Sequence, residues 1–122
     1  MWDKRAQLIS VHDGDTIKCT LDQGFGDSKV INVRLLNVFA PELKEAGGAD
    51  VRDFVKSWFD QLQPYSGWNF IVTTTRLKTA DKEDTSFDRY VGTITSLDGT
   101  RNLNMDVQAY INAKGYSGGT GS

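Results

Sequence analysis

Val33-Arg34-Leu35-Leu36-Asn37-Val38-Phe39-Ala40-Pro41-Glu42 is the stretch on which the fold turns. Just upstream and into it, Ile31, Val33 and Leu35 alternate with Asn32 and Arg34, the period-two pattern of a half-buried strand. This predicts a strand over 29–38. At its far end the chain meets Pro41, which fixes φ and removes an amide donor, and then a carboxylate, Glu42. A guanidinium, a locked turn and an acid therefore fall close together at one strand end.

Upstream, Leu8-Ile9-Ser10-Val11 and Thr16-Ile17-Lys18-Cys19-Thr20-Leu21 are β-type runs flanking Asp13-Gly14-Asp15. Asp-Gly is a common type I′ hairpin pair. A second turn over 22–28, with Gly24 and Gly26, completes a three-stranded meander. Downstream, Gly47-Gly48 closes a loop opened by Pro41. Val51, Phe54, Val55, Trp58, Phe59 and Leu62 then recur at helical spacing, predicting a helix over 50–63 that stops at Pro64. Phe70-Ile71-Val72-Thr73-Thr74-Thr75 reads as a β-branched strand. Residues 76–88 form a polar loop, 90–96 a fifth strand closed by Asp98-Gly99, and 103–114 a last helix with Gly115 as its stop. Five short strands with a helix between the third and fourth suit an OB-type barrel, although the order alone also suits other small α+β domains.

The 122-residue length bounds the chain to one domain, expected over 1–116, with a flexible glycine-rich tail over 117–122. The start, Met1-Trp2-Asp3-Lys4-Arg5, lacks the plan of a signal peptide. No apolar run is long enough to span a bilayer. Cys19 is the single cysteine, which excludes an internal disulfide and makes a cytosolic setting the expected one. A net charge of −2 argues against a surface coated in cations to grip nucleic acid. It leaves phosphodiester chemistry open, because a bound divalent cation supplies local positive charge.

Taken together, Asp13-Gly14-Asp15-Thr16, the Arg34 to Glu42 segment and Phe87-Asp88-Arg89-Tyr90 resemble the staphylococcal nuclease (thermonuclease) family of calcium-dependent phosphodiesterases. The resemblance spreads over most of residues 8–115. It implies a mainly β (α+β) fold, a five-stranded OB-fold barrel of the staphylococcal nuclease type with two helices. In that family the aspartate matching Asp15 ligates Ca²⁺ and the glutamate matching Glu42 sits by the attacking water. The arginines matching Arg34 and Arg89 bind the phosphate. The resemblance also implies the Ala40 main-chain carbonyl as a metal ligand. Arginine suits the phosphate role, because its planar fork reaches two oxygens and stays charged.

Two positions depart from the family pattern. Where the family carries a second calcium-binding aspartate, this chain has Phe39, which offers no lone pair to a hard cation. Weak calcium binding is the expectation, with Asp13 a candidate substitute ligand. Asp88 stands where the family commonly has glycine before the arginine.

Two functions from different classes follow. The first is a metal-dependent nuclease cleaving DNA or RNA, with single-stranded substrates expected, and with Glu42, Arg34 and Arg89 as catalytic groups. The second is a non-catalytic barrel of the same fold that binds single-stranded nucleic acid or a protein partner, for example as a component of a phage particle. Plain structural roles are expected elsewhere. His12 reads as a polar strand-end residue, Trp58 and Phe59 as core, and Cys19 as a buried strand residue. Trp2, Trp68, Tyr65 and Tyr116 are candidates for stacking on bases.

Overall fold

A computed structural model describes residues 2–62, 67–75 and 89–116. Its elements, in chain order, are β1 (Trp2–Asp13), β2 (Thr16–Gly24), β3 (Asp27–Leu35), α1 (Gly48–Asp60), β4 (Phe70–Thr75), β5 (Arg89–Ser96) and α2 (Leu103–Lys114). The strands close into a barrel in the order β1-β2-β3-β5-β4. Four of the pairings are antiparallel and β3–β5 is parallel. This is the OB-type barrel that the element order allows and the family resemblance implies, mainly β with two helices.

Alternation along the strands decides which side chains face inward. Ile17, Cys19 and Leu21 on β2 and Ile31, Val33 and Leu35 on β3 are all buried, while Lys18 and Arg34 between them are exposed. β1 carries two ladders: its first half pairs with β4, and from Ala6 onward it pairs with β2. Irregularities between Leu8 and Ser10 and between Val11 and Asp13 let one long strand serve both partners by adding local twist. α1 then plugs the barrel with Val51, Val55, Trp58 and Phe59, and α2 adds Leu103, Val107 and Ile111 to the same core. Burial lifts the thiol of Cys19 to about 12, so it is an inert core group.

Several expected boundaries shift for identifiable reasons. β1 is longer than its apolar run, because its polar first residues are held by the β4 ladder. β3 ends at Leu35, where the chain turns through Asn37 at φ 62. α1 starts at Gly48 and ends at Asp60, with Gln61 as its cap, so it stops before Pro64 is reached. α2 spans 103–114 as read. Asn102 caps its start by accepting from the Met105 N–H, and Gly115 ends it at φ 74. The polar loop over 76–88, Pro64, Tyr65 and the tail over 117–122 lie outside the described residues, as does the side chain of Trp2.

Candidate functional site

The β1–β2 turn is the first component. Its two-residue connection, Gly14-Asp15, is not the type I′ turn that Asp13-Gly14 suggested, since no residue of it takes a positive φ. The true positive-φ hairpin is β2–β3, at Phe25 (φ 54) and Gly26 (φ 81). Gly14 is required for space instead. A Cβ there would lie 2.5 Å from Val51 Cγ1 and 2.7 Å from Ala40 Cβ. The turn therefore sits flat on α1 and on the segment after β3, which brings Asp15 beside Ala40. Gly14→Ala is expected to destabilise by about 1–3 kcal/mol through overpacking. A thermal melt superimposable on the parent's would show that the turn is not held this way.

Asp15 occupies a charged environment of its own. Its amide donates to Asp13 Oδ1 at 3.1 Å, folding the Asp13 carboxylate back over the turn. Thr16 Oγ1 donates to Asp15 Oδ1 at 3.1 Å. Arg34 Nη2 lies 3.9 Å from Asp15 Oδ2, with the arginine half-exposed and the aspartate mostly covered. Register puts Arg34 at this end of the sheet, since Thr16 sits opposite it in the β2–β3 ladder. Burial and the neighbouring Asp13 raise the Asp15 carboxyl to about 6, against the opposing pull of Arg34 and Thr16. At neutral pH this carboxylate is ionised at a cost to the fold, and a nearby cation would offset that cost.

The β3–β5 ladder adds a second arginine position. Residue 89 lies opposite Asn32, two places from Arg34, so the backbone puts positions 34 and 89 on one face of the sheet. The Arg89 side chain and the Phe87-Asp88 pair lie outside the described residues.

The third component is the loop over 36–47, which carries Phe39, Ala40 and Glu42. Its backbone is tied down at both ends. The Leu36 N–H donates to the Gly92 carbonyl at 2.9 Å. The Leu36 carbonyl accepts from Asn104 Nδ2 at 3.0 Å, and the Phe39 N–H donates to Gln108 Oε1 at 2.9 Å. Asn104 and Gln108 are one helical turn apart on α2, so that helix acts as a strap across the loop. At the other end, a Cβ on Gly48 would lie 2.0 Å from the Glu42 carbonyl oxygen, so only glycine lets α1 start this close. Tyr116 packs over Gly47, and its hydroxyl, with that of Tyr110, donates to Asp50 at 2.6 and 2.8 Å. These bonds hold the Asp50 carboxyl below its ordinary value, with Tyr116 the larger cause. Tyr116 is thus committed to the helix junction.

Glu42 itself is exposed. Its N–H donates to Glu45 Oε1 at 2.9 Å, and Lys44 Nζ stands 4.0 Å from its own Oε1. Such a solvated pair contributes little to stability and leaves the carboxylate accessible. Phe39 is 39% exposed and takes no part in the core, flanked by the buried Val38 and Ala40.

The structure thus brings Asp13, Asp15 and Arg34 together and packs Ala40 against their turn, with the backbone of residue 89 on the Arg34 face. Among the described residues, no group of three or more His, Cys, Asp or Glu side chains is assembled to hold a metal. The two neighbouring carboxylates, Asp13 and Asp15, offer the hard oxygens that Ca²⁺ takes, so the donor chemistry fits a weakly held cation. Phe39 contributes nothing to it. Sequence reading missed Thr16, Asn104 and Gln108, which orient the acid and the loop. For Asn104 and Gln108 the sequence signal is a pair of amides at i and i+4 on α2, beside the buried Leu103 and Val107. Among the described residues, no helix is long and apolar enough to cross a membrane. No protein-family model matches the chain, and no curated protein matches it in sequence.

Proposed function

We propose that this chain is a nucleic-acid phosphodiesterase of the thermonuclease type, with a weakened demand for calcium. The observation that carries the reading is the half-buried Asp13–Asp15 pair at the barrel end with Arg34 beside it. An acid pair with a raised carboxyl attracts a cation, and an exposed arginine next to it attracts an anion. A phosphodiester with a divalent ion satisfies both.

In this mechanism Asp15, with Asp13 and the Ala40 carbonyl, would hold the cation. When bound, that cation supplies positive charge to the phosphate and lowers the pKa of a coordinated water. Arg34 grips two non-bridging oxygens through its fork and stabilises the charge that grows on them as water attacks. Arg89 is assigned the same task from β5. Glu42, solvated and paired only loosely with Lys44 at 4.0 Å, accepts the proton of the attacking water. Thr16 keeps Asp15 oriented, and the α2 strap fixes the backbone at Leu36 and Phe39, next to Ala40. The test is direct: purified protein is incubated with single-stranded DNA or RNA, with Ca²⁺ or with chelator. Cleavage that needs the metal supports the enzyme, and intact substrate across all conditions removes it.

A second reading, a binding module without catalysis, draws support from Leu36, Phe39 and Leu43, three large apolar side chains left exposed on one loop. Phe39→Asp separates the two. Because Phe39 is 39% exposed, the substitution trades a partly covered ring for a carboxylate that can reach water, and should cost about 1 kcal/mol of stability. It adds a hard oxygen ligand next to Ala40. The expected result is a larger rise in melting temperature on adding Ca²⁺ than the parent shows, with faster cleavage. Equal calcium shifts in variant and parent would mean that position 39 does not reach the cation.

A further inference from the structure

We propose that Lys18 holds a second phosphate of the nucleic-acid chain, beside the one gripped at Arg34. The outer face of β2, β3 and β5 then serves as a phosphate track leading away from the barrel end. This inference rests on the phosphodiesterase reading given above and adds a binding residue to it.

Register places the residues. In the β2–β3 ladder Thr16 lies opposite Arg34 and Lys18 lies opposite Asn32. In the β3–β5 ladder Asn32 lies opposite position 89, and in the β1–β2 ladder Lys18 lies opposite Ser10. One row therefore crosses four strands as Ser10, Lys18, Asn32 and position 89. Arg34 stands in the next row, further along β3. Burial settles which way the row faces. Ile17, Cys19, Ile31 and Val33 are in the core, whereas Lys18 and Arg34 are exposed. Neighbouring strands lie about 4.8 Å apart, and same-face neighbours along one strand about 6.7 Å. Lys18 and Arg34 thus rise from backbone sites about 8 Å apart on the diagonal. Their long side chains can take two phosphates of one strand.

The charge on this face is one-sided. The sequence has 16 acids against 14 Lys and Arg, yet the outward positions from Thr16 to Asp22 and from Ser28 to Arg34 carry one carboxylate, Asp22. Asp22 lies at the far end of β2 and is held by Arg5 at 2.9 Å. Among the described residues, Lys18 itself makes no ion pair. Two cations on one face with no acid between them repel one another, and a polyanion relieves that repulsion. The Ser10 hydroxyl and the Asn32 amide add neutral donors of the kind that line phosphate contacts. Lysine suits a flanking phosphate, where a point charge is enough to position the chain. The forked arginine is better used where charge grows during the reaction.

The test uses two thymidine hexamers as substrates of the intact protein in Ca²⁺. One has phosphodiesters throughout. The other has a single central phosphodiester with neutral methylphosphonates on both sides. Lys18→Gln should raise KM on the first by about two- to fivefold, the scale of one solvated ion pair, with kcat little affected. On the second hexamer the gap between variant and parent should close. The slope of log KM against log salt on the first should fall by about 0.7, one single-strand phosphate contact. Lys18→Arg, which keeps the charge, should restore the parent's KM. Circular dichroism checks that the exposed substitutions leave the fold intact. Equal KM for parent and Lys18→Gln on the first hexamer overturns the track. A loss equally large on both hexamers also overturns it, since Lys18 would then act at the cleaved phosphate or on the fold. Neither result touches the phosphodiesterase reading. If the parent cleaves neither hexamer, that reading falls and the track falls with it.

Discussion

Asn104→Leu is expected to lower the stability of the barrel by about 3 kcal/mol or more, because it strips partners from buried backbone groups without opening a cavity. Asn104 is buried at the start of α2, and its amide is fully used. Nδ2 donates to the Leu36 and Gly92 carbonyls, each at 3.0 Å, and Oδ1 accepts from the Ile94 N–H at 3.0 Å. One side chain therefore ties the end of β3, the middle of β5 and α2 at a single node. Leucine matches asparagine closely in size, so the loss isolates hydrogen bonding from packing. Gly92 would keep one partner, since its carbonyl also accepts the Leu36 N–H. The Ile94 amide and the Leu36 carbonyl would lose theirs, and they carry most of the cost. Urea unfolding monitored by tryptophan fluorescence gives the number. A loss under about 1 kcal/mol would mean that water replaces the amide at no great cost, contrary to its burial. The consequence reaches the candidate site, because Asn104 anchors the loop that carries Ala40 and Glu42. A variant that still folds should also bind calcium less tightly.

How far these features are legible in the sequence depends on whether their causes are local. β4 and α2 fall at the residues expected. A β-branched run, a capping asparagine and a stop glycine all act within their own segment. β1 was underestimated because its first residues, Asp3, Lys4 and Arg5, show no apolar alternation; the ladder to β4 holds them. Asp13-Gly14 carried a turn signal that was right about the hairpin and wrong about its cause. Glycine is there to admit Val51 and Ala40, atoms far along the chain. The same division runs through the site. Asp15 and Arg34 are named by the family resemblance, and their side chains lie 3.9 Å apart at the end of the β2–β3 ladder. Asn104 and Gln108 act across separations of 68 and 69 residues, and no local pattern reports such a contact. The exposure of Phe39 was likewise open, because the residue follows a strand end where alternation no longer dictates facing.

Glu42→Gln is expected to reduce the rate of phosphodiester cleavage by roughly two to four orders of magnitude, the scale set by losing a general base. The substitution keeps the side chain's length and removes the charge and the basicity. Because Glu42 is exposed and its ion pair with Lys44 is a loose 4.0 Å contact, the folded state should be nearly indifferent to the change. A rate loss with an unchanged melting temperature therefore points to chemistry rather than to unfolding. Arg34→Lys supplies the companion measurement. Lysine keeps a positive charge near Asp15 but cannot offer two parallel donors to a phosphate, so cleavage should fall while the fold again survives. The two variants should also differ in kind. Removing the base should lower kcat with KM little changed, whereas weakening the phosphate clamp should raise KM as well. If both variants cleave as fast as the parent, Glu42 and Arg34 are not the active site. The aspartate pair and its arginine would then be an ion cluster that orders the β1–β2 turn, and the cleavage would have to arise elsewhere.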